Sequence, residues 1–198
     1  MRILAVSDEE AKRFYDHYLP GCLDEFDLIL ACGDLKREYL EFLVTMSRAP
    51  VFYVHGNHDD GFATRPPEGC VCVDGKICVF QGVRILGLGG SHRYRPGVNM
   101  YSEEELARRV RRLRLSIWRH GGFDILMTHA PARGLNDFDT ISHRGFECFG
   151  RLLKKYRPRY FVHGHIHKAY GHDIPQISAY GPTTVINACE YCAFDYEK

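Results

Sequence analysis

Short apolar runs alternate with polar, turn-rich segments in the first third of the chain. Arg2–Val6, Phe26–Ala31 (FDLILA) and Val51–Val54 (VFYV) are too short for helices and carry little of the alternation of a half-exposed strand. They predict strands buried on both faces. Between the last two, Lys36–Ser47 places Leu40, Leu43 and Val44 at helical spacing. Strand, helix, strand in this order predicts βαβ units and a mostly parallel sheet.

The middle of the chain has a different rhythm. Cys70–Val73, Ile77–Phe80 and Val83–Leu88 are short strands divided by Asp74-Gly75 and Gln81-Gly82. Asp-Gly supplies the positive φ of a tight hairpin turn, so these strands are expected to run antiparallel. Alternation then resumes. Ser102–Arg119 reads as one helix, with Ser102 and Glu105 as a capping box and Leu106, Val110, Leu113 and Ile117 as its apolar stripe. Strand Asp124–Thr128, a helix near Gly145–Tyr156, and strands Arg159–Val162, Thr183–Ala188 and Tyr191–Phe194 complete the pattern. No repeat, linker or low-complexity segment divides it, which predicts one α/β domain over residues 1–198 with mixed sheet.

Composition narrows the possible partners. Of 198 residues, 26 are Lys or Arg and 25 are Asp or Glu, a formal charge of +1. Such a balance gives no global attraction to nucleic acid or to an anionic membrane. No run approaches the ~18 apolar residues of a membrane span, and Met1–Val6 reads as a core strand rather than a signal peptide. The expectation is a cytoplasmic protein without a membrane partner, nucleic acid disfavoured, and its eight cysteines reduced. Cys189-x-x-Cys192 lacks the second half of a zinc site, so all eight are read as buried, small, apolar residues. The six arginines of the Ser102–Arg119 helix read as a solvated face opposite its core stripe.

The candidate chemistry sits at strand ends. Asp8 follows the first strand, Gly33-Asp34 the second, Gly56-Asn57-His58-Asp59 the third, His129 the strand ending at Thr128, and His163-Gly164-His165-Ile166-His167 the strand ending at Val162. In open α/β sheets, ligands bind beyond the carboxyl ends of the strands. Convergence would gather Asp8, Asp34, Asn57, His129, His165 and His167 about one point. Imidazole, carboxylate and one amide oxygen suit divalent transition metals such as Mn, Fe, Zn, Ni or Co, and a carboxylate can bridge two ions roughly 3.5–4 Å apart. Any one of these residues alone is an ordinary turn, cap or core residue; the five strand ends together are not.

This set resembles the calcineurin-like metallophosphoesterase superfamily. Thr128–Asp137 and His163–Gly171 are further similar to its small metallophosphoesterase-domain members, which include cyclic-nucleotide phosphodiesterase-like enzymes. The resemblance implies an α/β, four-layer αββα sandwich of two mixed sheets. It implies two divalent ions, Mn or Fe first, with Zn, Ni and Mg as alternatives. Asp8, Asp34 and His167 would hold one ion; Asp34 would bridge; Asn57, His129 and His165 would complete the second site. His58 would contact the phosphate and assist the leaving group, and Asp59 would orient it. The family motif Asp-x-His reads Asp8-Glu9-Glu10 here, so Glu10 stands in the histidine's place. It is either a ligand, which would favour harder metals, or the start of a following helix.

The activity so implied is hydrolysis of phosphate esters, diesters favoured, by attack of a metal-bridging hydroxide, with a small phosphate ester as the partner. The alternatives are a non-catalytic metal-binding scaffold of the same fold, and a nuclease. Arg93 and Arg133 are candidate bidentate donors to phosphate. Among the other histidines, His55 and His163 are expected to support strand ends and His92 to line the cleft. His143 is expected first to start a helix and second to touch substrate. His17, His120 and His172 are expected to be ordinary surface or packing residues.

Overall fold

The computed structural model describes residues 1–167 and 174–197. His172 and the end of the His163–Gly171 segment lie outside them. In chain order the elements are β1 (Arg2–Ser7), β2 (Leu28–Ala31), α1 (Arg37–Met46), β3 (Val51–Tyr53), β4 (Val71–Cys72), β5 (Lys76–Phe80) and β6 (Val83–Leu88). There follow β7 (Ser91–His92), β8 (Met100–Tyr101), α2 (Glu103–Arg112), α3 (Arg114–Arg119), β9 (Ile125–Thr128), α4 (Glu147–Tyr156), β10 (Tyr160–His163), β11 (Ile177–Tyr180), β12 (Thr183–Asn187) and β13 (Glu190–Asp195).

Two mixed sheets form the centre. One has the order β13-β1-β2-β3-β4 and the other β11-β12-β10-β9-β6-β5. In the first, β1 to β4 are parallel and β13 closes antiparallel on β1. In the second, β6, β9, β10 and β12 are parallel, with β5 and β11 antiparallel at the edges.

Strand alternation sorts the apolar side chains into three layers of contact. Ile3, Ala5, Leu28 and Leu30 of the first sheet meet Ile85, Ile125, Met127, Val162 and Ile186 of the second. The intervening residues Leu4, Val6, Ile29 and Ala31 turn outward onto Tyr39, Leu40 and Leu43 of α1. On the far side, Leu86, Leu126, Phe161 and Val185 pack on Leu106, Ile117, Phe149 and Leu152 of α2, α3 and α4. Helix, sheet, sheet, helix is thus read directly from which side chains touch. The short buried strands are apolar throughout because both of their faces are covered.

Three sequence expectations are corrected. Gln81-Gly82 does turn β5 back onto β6, both residues in the left-handed region. Asp74-Gly75 does not make a hairpin: β4 pairs parallel with β3 in the first sheet, and the chain crosses there to the second. Asp74 anchors the crossing, accepting hydrogen bonds from Gly89 N at 2.8 Å and Arg109 Nη2 at 2.7 Å. Second, the Ser102–Arg119 helix breaks at Leu113, whose N–H bonds back to Val110 O. That tightened turn keeps Leu106, Leu113 and Ile117 all buried. The Ser102–Glu105 capping box forms. Third, β11 lacks apolar alternation and is an edge strand that the pattern did not mark. No disulfide joins the cysteines among the described residues; Cys32, Cys148, Cys189 and Cys192 are buried as expected, whereas Cys22, Cys70, Cys72 and Cys78 are only half-buried, and no helix among the described residues is long and apolar enough to cross a membrane.

Candidate metal centre

The carboxyl ends of β1, β2 and β3 deliver Asp8, Asp34 and Asn57; those of β9 and β10 deliver His129 and His165. Asp8, Asp34, His129 and His165 each bring a ligand atom to within 4.8 Å of the others'. Asp8, Asp34 and His165 sit at φ of 65°, 55° and 69°. This left-handed backbone costs L-residues of order 1 kcal/mol each, and such strain gathers where side chains must be aimed.

Hydrogen bonds assign the ring nitrogens. His129 Nδ1 lies 2.8 Å from Cys32 O, and His165 Nε2 faces Ser142 O. Carbonyl oxygens only accept, so each of those nitrogens carries a proton. The opposite nitrogens, His129 Nε2 and His165 Nδ1, then face one another at 3.1 Å, each with a lone pair to offer an ion when its ring is neutral. Asn57 Oδ1 lies 3.0 Å and Asp34 Oδ2 3.4 Å from His129 Nε2. Four Lewis-basic atoms thus share one small volume. Electrostatics record the crowding. Burial alone would lower the His129 pKa, but Asp34 and then Asp8 outweigh it and lift the ring to about 9. Burial and His129 together depress His165 to about 3. Asp34, although buried, is held down to about 2, chiefly by His129.

Asp8 supplies a second sign of the same need. Its Oδ2 accepts from His165 N at 2.8 Å, while its buried Oδ1 has no hydrogen-bond partner. The nearest basic group is His167 Nε2 at 3.8 Å. Burial raises the carboxyl's pKa, with His129 opposing. A buried carboxylate oxygen without a partner costs several kcal/mol, and a cation between Asp8 and His167 removes that cost. The donor set fits divalent metal on both counts.

Two glycines make room for these carboxylates. A Cβ on Gly56 would fall 2.0 Å from Asp34 Oδ1, and one on Gly164 would fall 1.9 Å from Ser7 Oγ and 2.7 Å from Asp8 Oδ2.

The remaining predicted residues have neighbours of their own. His58 is exposed; its backbone N–H donates to Asp34 Oδ1 at 2.7 Å, and its Nδ1 accepts from Arg95 Nη2 at 3.2 Å. Asp59 does not hold the His58 ring. Its Oδ2 accepts from Gly56 N at 2.7 Å and Asp34 N at 2.9 Å, tying two metal-site loops together. Burial, then Asp34, pushes its pKa up to about 6. Glu10 pairs with Lys36 at 2.9 Å. Glu9 Oε1 instead lies 3.0 Å from His167 Nδ1, and Glu9, His167 and Cys189 form a further group of possible ligands. Arg93 is held by Glu105 at 2.8 Å and Arg133 by Asp137 and Asp139 at 2.8 and 2.6 Å. His55 pairs with Asp74, His163 is buried beside Gly164 O and Asn136, and His92 stacks on Phe146. The His143 ring lies 5.5 Å from that of His165.

The model for the calcineurin-like phosphoesterases matches residues 1–169. The chain belongs to that family. Members of the family are typically hydrolases of phosphoester bonds, and this member carries a candidate Asp/His metal site. Among curated proteins, it is 34% identical over 79 residues to human metallophosphoesterase domain-containing protein 1, covering 38% of this chain and 22% of that protein. It is 37% identical over 70 residues to a UPF0046 protein of Caenorhabditis elegans, covering 34% of this chain and 16% of that one. These matches span less than a quarter of the relatives' own lengths. Among solved structures, TT1561 of Thermus thermophilus superposes with a TM-score of 0.62 at 14% identity, over 96% of this chain and 89% of that one. GAP50, the anchor in the inner membrane complex of Plasmodium, superposes with a TM-score of 0.57 at 9% identity, over 94% and 70%. At such identities the likeness is one of fold.

Sequence reasoning missed Glu9, Arg95, Tyr94 and Ser142. Asp8 is left-handed, so strand alternation ends there and spacing no longer says whether Glu9 or Glu10 turns inward. Arg95 and Tyr94, whose hydroxyl lies 3.3 Å from Asn57 Nδ2, come from an irregular loop without periodicity. Ser142 acts through its carbonyl, which every residue has.

Proposed function

We propose that this calcineurin-like phosphoesterase hydrolyses small phosphate esters, phosphodiesters in preference to monoesters, with two divalent ions of the Mn or Fe type. The observation that carries the reading is the meeting of His129 Nε2, His165 Nδ1, Asn57 Oδ1 and Asp34 Oδ2 beside the unpartnered Asp8 Oδ1. In this reading Asp8, Asp34 and His167 hold one ion, and Asn57, His129 and His165 hold the other with Asp34 shared. Such ions supply Lewis acidity at the phosphoryl oxygens and lower the pKa of water toward ~7.

The chain's own groups do the rest. Cys32 O and Ser142 O fix the tautomers that leave a lone pair on each inner imidazole nitrogen, as acceptors behind ligating imidazoles do in metal sites. Glu9 does the same for His167: accepting at Nδ1 leaves Nε2 for the ion. Asp59 is a positioning residue for the Asp34 and Gly56 loops. Arg95, donating to His58 Nδ1, leaves the proton of that ring on Nε2, where it can hydrogen-bond a departing oxygen. Diester preference follows from charge. Arg93 and Arg133 are engaged by carboxylates, so Arg95 brings one added positive charge beside His58, enough for a monoanionic diester and scant for a dianionic monoester.

The test is reconstitution with Mn, Fe, Zn, Ni and Mg in turn, elemental analysis, and comparison of kcat/KM for bis-p-nitrophenyl and p-nitrophenyl phosphate. Two ions per chain and faster diester hydrolysis are expected. Absence of stoichiometric metal overturns the site. Stoichiometric metal without turnover of either ester returns the reading to a metal-binding scaffold.

A further inference from the structure

A cleft of ≈ 290 Å³ runs between α2–α3 and α4, on the helical layer outside the second sheet. Its floor is apolar, with Val110, Ile117 and Leu152 among its lining, and its walls carry Arg111 and Arg114 on one side and Arg151 and Lys155 on the other. No carboxylate lines it. Arg151 is paired with Glu103 and Glu147, but Arg111, Arg114 and Lys155 join no ion pair among the described residues. On α3, Leu115 is 55% and Trp118 76% exposed. Ala107 and Arg111 lie four residues apart on α2, and Arg114 and Trp118 four apart on α3, so each pair shares a face of its own short helix.

We propose that this cleft is the docking site for an acidic amphipathic helix of a partner protein. An apolar floor between two helices accepts the i, i+3, i+7 anchors of a third. The cationic walls call for Glu or Asp beside those anchors, which would relieve their mutual repulsion. A second copy of the chain is disfavoured by the same charges, since apposed clefts would bring arginine against arginine. A flat lipid surface does not enter a cleft. The proposal is independent of the metal centre.

The probe is a synthetic helical peptide with Leu at i, i+3 and i+7 flanked by Glu, labelled for fluorescence anisotropy and titrated into the full chain. Trp118, the single tryptophan, gives a second signal from α3, the helix that supplies Arg114 and Ile117 to the cleft. Saturable binding is expected, with a blue shift of Trp118 emission and weakening as salt rises. The exposed-site double variant Arg114→Glu/Lys155→Glu should weaken it about ten-fold or more, and a peptide with Ser in place of Leu should fail to bind. Absence of saturable peptide binding at low salt overturns the proposal. So does tighter, Arg114-dependent binding of phosphatidylserine vesicles or of single-stranded DNA, or self-association abolished by the double variant.

Discussion

Gly56→Ala adds one methyl group and alters no ligand, yet it should remove the metal site. The new Cβ would lie 2.0 Å from Asp34 Oδ1, 2.5 Å from Asp34 Cγ and 2.5 Å from Asp34 N. Ordinary carbon–oxygen contact requires more than 3 Å, so the carboxylate must retreat by about 1 Å, and metal–ligand distances tolerate only about ±0.2 Å. Retreat also breaks the bond from His58 N to Asp34 Oδ1. Overpacking of this kind costs about 1–3 kcal/mol, and a lost charge-assisted hydrogen bond about 1.5–3 kcal/mol. The fold should survive, because the interface between the sheets is untouched. Calorimetric titration with Mn on wild type, Gly56→Ala and Gly61→Ala is the assay. Gly61 is the control, since a Cβ there meets nothing within 4 Å. At least a ten-fold loss of affinity is expected in Gly56→Ala alone, with unchanged circular dichroism. Wild-type metal affinity in a folded Gly56→Ala protein would refute the argument that Asp34 is held in place to bind metal.

Three further outcomes follow from single contacts. Arg95→Ala should keep metal stoichiometry but lower kcat/KM for the diester by about ten-fold or more, mainly through KM, as removal of a charged donor does; unchanged KM sinks its role. Asp74→Ala should destabilise the fold by about 3 kcal/mol and lower Tm by roughly 6–12 °C, because Arg109 loses its buried partner; the Asp74 pKa lies below normal because His55 and Arg109 outweigh burial, so its stabilisation is present above the unfolded pKa of ~3.9 and is lost as pH falls through the folded value, and acid titration of Asp74→Asn should lack that phase. Gly150→Ala, mid-α4 and with no atom within 4 Å of the added Cβ, should raise stability by about 0.5–1 kcal/mol; a fall in Tm would contradict it.

The central strands of both sheets and the candidate ligand positions at their ends are legible in the sequence because burial on both faces imposes an uninterrupted apolar run, and the polar residue that ends the run is conspicuous. Asp8, Asp34, His129 and His165 stand out for that reason. What stays hidden has no such pattern. Asp74-Gly75 has the composition of a hairpin turn, and nothing local says that the next strand joins another sheet; Gly87, where a Cβ would strike Val73 O at 2.3 Å, marks the crossing only once the two strands are seen side by side. Glu9 and Glu10 differ in one backbone step past a left-handed residue. Arg95 reaches His58 across 37 residues of sequence, a distance fixed by a loop and not by periodicity.

The candidate ligands divide between the two sheets. Asp8, Asp34 and Asn57 come from the first sheet; His129 and His165 come from the second. An ion bound by both sets would therefore cross-link two layers already joined by apolar packing around Leu30, Val54, Ile125 and Met127 and by the His129–Cys32 and His165–Asp8 hydrogen bonds, and that site exists only in the folded chain. Binding to the native state alone stabilises it by RT ln(1 + [L]/Kd), about 2.7 kcal/mol at 100 Kd. For a chain of this length that raises Tm by roughly 5–11 °C. Differential scanning calorimetry with Mn at saturation, then with excess chelator, should show that rise and its reversal. His129→Ala, which removes a second-sheet ligand, and Asp34→Asn, which weakens the shared one, should each abolish the Mn-dependent part while leaving a cooperative transition. An equal Mn-dependent rise in both variants would place the ion elsewhere, and no rise in wild type would leave the lone pairs of His129 and His165 and the bare Asp8 Oδ1 to be satisfied by protons alone.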